Sequence, residues 1–202
     1  MDKIICIGKN YLEHAKELGD AVPERPVLFI KPPSAAVQAS GVEWSGQRVA
    51  ISLPQGRGSV HYECEIVLRL NHLGVPDAVT LGLDLTLRDL QADLKKKGHP
   101  WEVSKVFPGS AIVGPWIPLD QFPGYLNEKF EFLIDGIVRQ SGRGSEMRSS
   151  PEVFLQYARE CFILCEGDLL FTGTPAGVGP LMSGHRGTLR WGSMLEFHVD
   201  FN

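Results

Sequence analysis

Glycine and proline recur so evenly along this chain that they restrict what it can fold into. The sequence has 22 glycines and 14 prolines among 202 residues, spread from end to end. Because both residues favour turns and interrupt regular elements, this spacing favours many short strands over a helical bundle. The sequence therefore predicts a mixed α/β, β-dominated fold with few short helices, forming a single domain over residues 1–202.

Composition and charge argue against a membrane protein and a nucleic-acid-binding protein. Hydrophobic residues make up 43% and charged residues 22% of the chain, and no apolar run approaches a bilayer span. A net charge of −4 does not suit a nucleic-acid surface, and the one basic run, Lys95 to Lys97, suits the C-terminal end of a helix. The N-terminus has no signal-peptide pattern, so we expect a cytoplasmic location. The four cysteines form no C-x-x-C pair and are expected to be buried free thiols.

A β-hairpin is predicted where Asp135 and Gly136 separate the stretches 130–134 and 137–139. An Asp-Gly pair supplies the two positive φ angles of a type I′ turn, which matches the twist of antiparallel strands. Further strands are predicted at 3–7, 27–31, 61–70, 80–84, 168–172 and 193–201.

Two helices and a shorter helical turn are predicted from capping signals. The first helix, over 86–97, has Thr86 and Asp89 at the spacing of a capping box. The second, over 151–162, has Ser150 as its N-cap and Pro151 in the first helical position. The shorter turn is predicted at 11–18.

Three carboxylates are the candidate metal ligands. Alternation places Glu63 and Glu65 on the same face of a strand, with Cα atoms roughly 6.6 Å apart. Taken alone, such a pair is more often a solvated strand face, but Asp84 ends the apolar strand at 80–84, where its side chain can project from a sheet end. Three oxygen ligands without histidine or thiolate suit Mg²⁺ or Mn²⁺ rather than zinc.

Three further residues have a functional interpretation beside a simpler one. His14 and Glu17 stand at i and i+3, so the carboxylate could orient a general base, or the two could form an ordinary surface pair. Lys105 lies among apolar residues and could serve a site or lie along the surface. The glycine-rich loop 172–179 lacks the ending of a P-loop, but its backbone N–H groups and the Thr174 hydroxyl could bind a substrate carboxylate.

Read together, these segments resemble the fumarylacetoacetate hydrolase family, especially its small acylpyruvase and oxaloacetate decarboxylase branch. The resemblance covers nearly the whole chain. Between Glu65 and Asp84, however, the chain has only residues 66–83, a shorter stretch than is usual in the family. The matching stretches are Gly8-Lys9-Asn10-Tyr11 with His14 and Glu17, residues 26–32, Glu63-x-Glu65, residues 83–91, Lys105, and residues 172–179.

The resemblance implies a fold, a cofactor and a role for each site residue. The fold would be a β-roll or β-sandwich, usually in a homodimer, with Mg²⁺ or Mn²⁺ acting as a Lewis acid on a small 2-oxo acid. His14 and Glu17 would form a water-activating pair on a lid within residues 1–20 that orders when ligand binds. The remaining roles would be metal ligation by Glu63, Glu65 and Asp84, charge stabilisation by Lys105, and substrate binding by Arg88, Gln91 and Thr174.

Three functions remain open at this point. The first is C–C bond cleavage in a 2-oxo acid, by hydrolysis of an acylpyruvate such as fumarylpyruvate or by decarboxylation of oxaloacetate. The second is isomerisation, hydration or decarboxylation of a 2-hydroxymuconate-type diacid, as by a 5-carboxymethyl-2-hydroxymuconate isomerase or a 2-oxohepta-3-ene-1,7-dioate hydratase. The third is a non-catalytic, metal-stabilised binding protein, which would leave His14, Glu17 and Lys105 without a role.

Overall fold

The computed structural model describes residues 1–17, 25–39 and 45–202. In these ranges strands outnumber helices, so the predicted β-dominated α/β fold is confirmed. No helix among the described residues is long and apolar enough to cross a membrane. The helices are α1 (Leu12–Glu17), α2 (Arg88–Lys96) and α3 (Pro151–Cys161).

The strands of the described residues form three sheets. Their bounds are β1 Ile4–Gly8, β2 Val27–Lys31, β3 Ala36–Gln38, β4 Ser45–Ile51, β5 Val60–Tyr62, β6 Cys64–Leu70, β7 Pro76–Asp84, β8 Thr86–Leu87, β9 Ala111–Val113, β10 Ile117–Pro118, β11 Phe130–Ile134, β12 Ile137–Gly142, β13 Leu169–Phe171, β14 Gly179–Pro180, β15 Arg186–Trp191 and β16 Leu195–Phe201. An eight-stranded sheet has the order β2-β1-β13-β6-β7-β9-β3, with β10 paired to β7. A five-stranded sheet has the order β12-β11-β15-β16-β4, and a three-stranded sheet the order β14-β5-β8.

Two hydrophobic clusters lie against opposite faces of β6. Ile66 and Leu68 belong to the larger cluster, which joins this strand to aromatic residues of the five-stranded sheet such as Phe132 and Trp191. Val67 belongs to a second, smaller cluster with residues of β1, β2, β9 and β13. Since alternate residues of a strand share a face, Glu63 and Glu65 lie on the side of the smaller cluster.

Local signals predicted several elements correctly. Asp135 and Gly136 have φ angles of 51° and 78°, as a type I′ turn requires, and they join β11 to β12. Helix α3 begins at Pro151, and the Ser150 hydroxyl accepts a hydrogen bond from the Val153 amide. The four cysteines are free, but only Cys6 and Cys64 are buried; Cys161 is exposed and Cys165 is half-buried, so the expectation of four buried thiols was wrong in part.

The predicted bounds of two elements near Glu63 were wrong. The strand predicted over 61–70 is broken at Glu63, because β5 pairs within the three-stranded sheet and β6 within the eight-stranded one. The helix predicted over 86–97 begins at Arg88, because Thr86 lies in β8 and its hydroxyl donates to Glu63 instead of capping the helix. The Asp89 carboxylate accepts a hydrogen bond from the Ser59 amide.

The short stretch between Glu65 and Asp84 forms a direct hairpin. Strands β6 and β7 pair antiparallel, and the turn between them is closed by Asn71, whose side chain accepts from the Leu73 amide at 2.8 Å. This hairpin brings both ends of the stretch back to one place in the sheet.

Candidate active site

The β6–β7 ladder places the three candidate metal ligands together. Within it Glu65 pairs with Gly82, and one step beyond the ladder end the Asp84 amide donates to the Glu63 carbonyl at 2.9 Å. Paired residues of an antiparallel ladder project from the same face, so the three carboxylates converge.

These carboxylates form a compact and buried cluster. One oxygen from each of Glu63, Glu65 and Asp84 can be chosen so that all three lie within 4.8 Å of one another. The residues are 6%, 2% and 1% exposed, respectively, so the alternative of a solvated strand face is excluded. Because burying like charges side by side is costly, a cluster of this kind needs compensating cations.

Lys105 provides part of this compensation and is not a surface lysine. It is 4% exposed, and its ammonium donates to Glu63 Oε2 at 2.7 Å and to Asp84 Oδ2 at 2.6 Å. Burial lowers the pKa of Lys105, but the Asp84 and Glu63 carboxylates outweigh burial and raise this pKa above its ordinary value. The amine is therefore held as an ammonium against the cluster.

Lys31 is a site residue to which the sequence reasoning gave no role. Its side chain is fully buried, with Nζ 2.6 Å from Asp84 Oδ1 and hydrogen bonds to the carbonyls of Leu85 and Ser110. The signal in the sequence was a lysine ending the otherwise apolar strand β2, where a charge requires a buried partner. Asp84 therefore stands between two buried ammonium groups.

Glu63 is also bound by residues of the α2 region. Arg88 Nη2 lies 2.5 Å from Glu63 Oε1, and the Thr86 hydroxyl donates to the same oxygen at 3.1 Å. Burial raises the pKa of Glu63, but the charges of Lys105 and Arg88 outweigh it and hold this pKa well below its usual range. Arg88 Nη1 in turn donates to Gln91 Oε1 at 2.7 Å, so Arg88 fixes the Gln91 amide.

Glu65 has less compensation than its two neighbours. Its carboxylate accepts one hydrogen bond, from the Gly173 amide at 2.7 Å, and forms no ion pair with a described residue. Burial, followed by the adjacent Asp84 and Glu63 carboxylates, raises the pKa of Glu65 well above its ordinary value. Gly173 has a φ of +93°, and a Cβ there would lie 2.8 Å from Asn10 Cβ, so only glycine fits without strain at the position that holds Glu65.

His14 lines the same pocket as the three carboxylates, and Glu17 contacts His14. His14 Nδ1 is 3.2 Å from Glu17 Oε2, and Glu17 also accepts from the Gly177 amide at 3.1 Å. His14 is 4% exposed, so the two do not form an ordinary surface pair. The chain before α1 is anchored by Asn10, whose amide nitrogen donates to the carbonyls of Ser149 and Thr172.

The lid expected within residues 1–20 includes elements of different kinds. Strand β1 is an interior strand, with Ile4 and Ile5 fully buried between β2 and β13. Helix α1 carries His14 and Glu17, and residues 18–20 lie outside the described part of the chain. Ordering of a lid on ligand binding stays a prediction, and among the described elements it applies to α1.

One pocket of about 320 Å³ contains the predicted site residues other than Glu17. Thr174 lines it, although its hydroxyl already donates to the Cys64 carbonyl and accepts from Gln140 Nε2. The glycine-rich loop donates its Gly173 and Gly177 amides to protein carboxylates. The pocket lining includes His14, Glu63, Glu65, Asp84, Arg88, Gln91, Lys105 and Thr174.

The donor set fits a hard divalent cation. Three carboxylates without histidine or thiolate are the ligands that Mg²⁺ and Mn²⁺ prefer. Glu65 accepts one hydrogen bond and forms no ion pair with a described residue, so its carboxylate retains the capacity to bind a cation, whereas Asp84 Oδ1 already forms an ion pair with Lys31 at 2.6 Å. The buried Arg88 Nε has no hydrogen-bond partner in the described ranges, which leaves a donor beside the cluster for an anionic ligand.

The fold and this site define the class of protein to which the chain belongs. The family described as fumarylacetoacetate (FAA) hydrolase C-terminal matches residues 3–201, and the chain is a member of this enzyme family. The oxaloacetate tautomerase YcgM of Escherichia coli (strain K12) is 38% identical over 195 residues, covering 91% of this chain and 85% of YcgM.

Solved structures confirm the expected fumarylacetoacetate hydrolase fold. The fumarylpyruvate hydrolase from Pseudomonas aeruginosa in complex with Mn²⁺ and pyruvate has a TM-score of 0.88 at 32% identity, covering 100% of this chain and 89% of that chain. The 5-carboxymethyl-2-hydroxymuconate delta-isomerase from Mycobacterium smegmatis has a TM-score of 0.80 at 28% identity, covering 99% of this chain and 78% of that chain.

Proposed function

We propose that this chain is an Mg²⁺- or Mn²⁺-dependent enzyme that cleaves a C–C bond in a small 2-oxo acid, by hydrolysis of an acylpyruvate. The observation that carries the proposal is that His14 lines the same pocket as the buried Glu63, Glu65 and Asp84. This arrangement combines a cation site for the 2-oxo acid end with a base for water. The Mn²⁺ and pyruvate in the P. aeruginosa relative support the cofactor and the product class.

The inner end of the pocket would bind the 2-oxo acid end of the substrate. When bound, Mg²⁺ or Mn²⁺ held by the three carboxylates supplies Lewis acidity to that end. The Lys105 ammonium adds positive charge beside the cluster, where it can stabilise negative charge developing on the pyruvyl fragment. Arg88 Nε, which has no hydrogen-bond partner among the described residues, would donate to a substrate carboxylate.

His14 and Glu17 would handle the proton of the attacking water. With His14 Nδ1 engaged by Glu17, Nε2 is the nitrogen left to accept that proton. Water adds to the distal carbonyl, the C3–C4 bond breaks, and C3 takes a proton, which gives pyruvate and a carboxylic acid. Oxaloacetate decarboxylation on the same residues needs no attacking water.

A second candidate is keto–enol interconversion of oxaloacetate. It is favoured by the relationship to YcgM, an oxaloacetate tautomerase by name. The same pocket would serve, because the reaction needs only proton transfer at C3 beside a stabilised enolate. A 2-hydroxymuconate-type isomerase, as in the M. smegmatis relative, would use the same step on a longer diacid.

A substrate panel tests the proposal and separates the candidates. We expect acetylpyruvate and fumarylpyruvate to be hydrolysed by the purified protein with Mg²⁺ or Mn²⁺, and EDTA to stop turnover until the metal is restored. Interconversion of oxaloacetate without acylpyruvate hydrolysis would reject the first candidate in favour of the second. Full hydrolysis in EDTA would reject the metal.

The variants His14→Ala and Glu17→Gln test the role of the base. Hydrolysis should fall by roughly two to four powers of ten, which is the usual contribution of a positioned general base. Binding of oxalate, which mimics the 2-oxo acid end, should stay near the wild-type value, and decarboxylation should decrease less than hydrolysis. Equal hydrolysis by wild type and variants would contradict the assignment.

The proposal extends to assembly and location. We propose that the chain forms a homodimer, as the family resemblance implies, and that it acts in the cytoplasm. Analytical ultracentrifugation of the purified chain measures its oligomeric state, and a monomer would reject the homodimer.

A further inference from the structure

Lys95 belongs to the basic run 95–97, for which the sequence indicated only a position at the end of a helix. In the structure Lys95 lines the same pocket as the three carboxylates. Arg88, Gln91 and Lys95 stand at i, i+3 and i+7 of α2, which places them on one face of the helix. All three line the pocket, so α2 presents a row of polar side chains to it from its inner to its outer end. Lys96 and Lys97 do not line the pocket, and Lys97 pairs with Asp93 at 2.8 Å.

An aromatic wall connects the carboxylate cluster to Lys95. Lys105 Nζ lies 5.1 Å from the Phe29 ring centroid, and Phe29 meets Trp101 edge to face at 5.2 Å. Lys95 Nζ lies 5.8 Å from the Trp101 ring centroid, within the range of a cation–π contact. Trp101 and Phe29 both line the pocket, so an apolar path runs from the buried ammonium of Lys105 to the ammonium of Lys95.

The length of this path exceeds a four-carbon substrate. Arg88 and Lys95 are seven residues apart, which corresponds to about 10.5 Å along a helix axis. Helical side chains lean towards the N-terminus, so the Lys95 ammonium lies closer to the inner end than its Cα does. An extended chain advances about 3.5 Å for three bonds, so oxaloacetate spans about 3.5 Å and a seven-carbon diacid about 7 Å between its terminal carbons.

We infer that Lys95 and Trp101 form a second anion subsite, which binds the remote carboxylate of a 2-oxo diacid longer than oxaloacetate. The inference rests on the proposed function, because it takes the 2-oxo end to lie at the carboxylate cluster. Trp101 supplies an apolar surface for the middle of the chain and holds the Lys95 ammonium at the outer end. A substrate with a neutral tail contacts the same aromatic wall but forms no ion pair with Lys95.

Two unreactive ligands of equal length test the subsite by calorimetric titration in the presence of Mg²⁺. The ligand 2-oxoheptanedioate carries the remote carboxylate, and 2-oxoheptanoate lacks it. Wild type should bind the diacid roughly two- to fivefold more tightly, as expected for an ion pair with an exposed lysine. Raising the salt from about 0.05 M to about 0.5 M should reduce this preference.

Variants at Lys95 should remove the preference without changing binding of the 2-oxo end. Lys95→Gln should bind both ligands with the affinity that wild type has for 2-oxoheptanoate, whereas Lys95→Arg should keep the preference. Lys96→Gln, one residue along the same helix, is the matched control and should behave as wild type.

The two ligands also separate failure of the subsite from failure of the proposed function. Equal binding of both ligands by wild type, or an unchanged preference in Lys95→Gln, would reject the subsite while leaving the 2-oxo acid site in place. Absence of Mg²⁺-dependent binding of either ligand would reject both proposals.

Discussion

Replacing Asp84 by asparagine should destabilise the metal-free protein far more than replacing Glu65 by glutamine, although both changes should weaken metal binding. Asp84 lies 2.6 Å from the ammonium groups of both Lys31 and Lys105, and all three side chains are at most 5% exposed. Removing one partner of a buried ion pair leaves an uncompensated charge, which costs about 3–5 kcal/mol. In a chain of this size that corresponds to a fall in Tm of roughly 6–20 °C.

Glu65 has no such partner, so the same kind of change has a different result. In Glu65→Gln the amide oxygen can still accept the hydrogen bond from Gly173, and one like charge is removed from the cluster. We expect the free energy of unfolding to change by no more than about 1 kcal/mol. Both residues would be metal ligands, so each variant should lose most of its affinity for Mn²⁺.

Chemical denaturation in EDTA measures the first effect and calorimetric titration with Mn²⁺ the second. Glu131→Gln is the matched control, because Glu131 also contacts two cations, Lys129 and Arg190, each at 2.8 Å, but these side chains are 50% and 41% exposed. The loss there should stay below about 1 kcal/mol. Equal stability of the Asp84 and Glu65 variants would refute the reasoning about buried charge, and unchanged Mn²⁺ affinity in both would refute the metal site.

Three further changes have expected outcomes. Gly173→Ala should lower the free energy of unfolding by about 1–3 kcal/mol, because alanine is strained at a φ of +93°. It should also reduce Mn²⁺ affinity, because the hydrogen bond from the residue 173 amide to Glu65 shifts. Thermal unfolding measures the first effect and calorimetric titration with Mn²⁺ the second. Asp168→Asn should be destabilised at neutral pH. Burial raises the pKa of Asp168, but hydrogen bonds from Lys3 and from backbone amides outweigh burial and lower this pKa. The stabilisation from the Asp168 carboxylate is therefore present above about pH 4 and is lost as the pH falls further. Urea titrations at several pH values should show the difference from wild type shrinking below that pH. Ser150→Ala should cost about 0.5–1 kcal/mol through loss of a helix cap, measured by urea denaturation, and no change would show that this cap does not stabilise the helix.

The sequence predicts those parts of the fold that depend on neighbouring residues. The Asp135-Gly136 turn and the start of α3 after Ser150 follow from backbone preferences that act over four residues or fewer, and the structure has both. Thr86 and Asp89 failed as a capping box because tertiary partners compete for the same oxygens. Thr86 donates to Glu63, and Asp89 accepts from a residue in a preceding loop.

The candidate site is less visible in the sequence than its carboxylates suggest. The alternation of Glu63 and Glu65 gives their shared face, but whether that face is solvated depends on strands far away in the chain. Lys31 belongs to the site because β2 lies in the same sheet, which no local pattern records. In the sequence, Lys95 is one of the basic residues expected at the C-terminal end of a helix. Its place at the pocket depends on its contact with Trp101, which the sequence does not indicate.

The position of β1 has a consequence for how the protein is made. Its residue Ile4 pairs with Leu169 of β13, and Asn10, a few residues later, donates to the Thr172 carbonyl. During synthesis the first strand therefore has no β13 partner until most of the chain has left the ribosome, and pairings of this sequence separation form slowly. We expect the segment carrying His14 to reach its final position late, and the apolar β1 to be open to wrong pairings or chaperone binding until then.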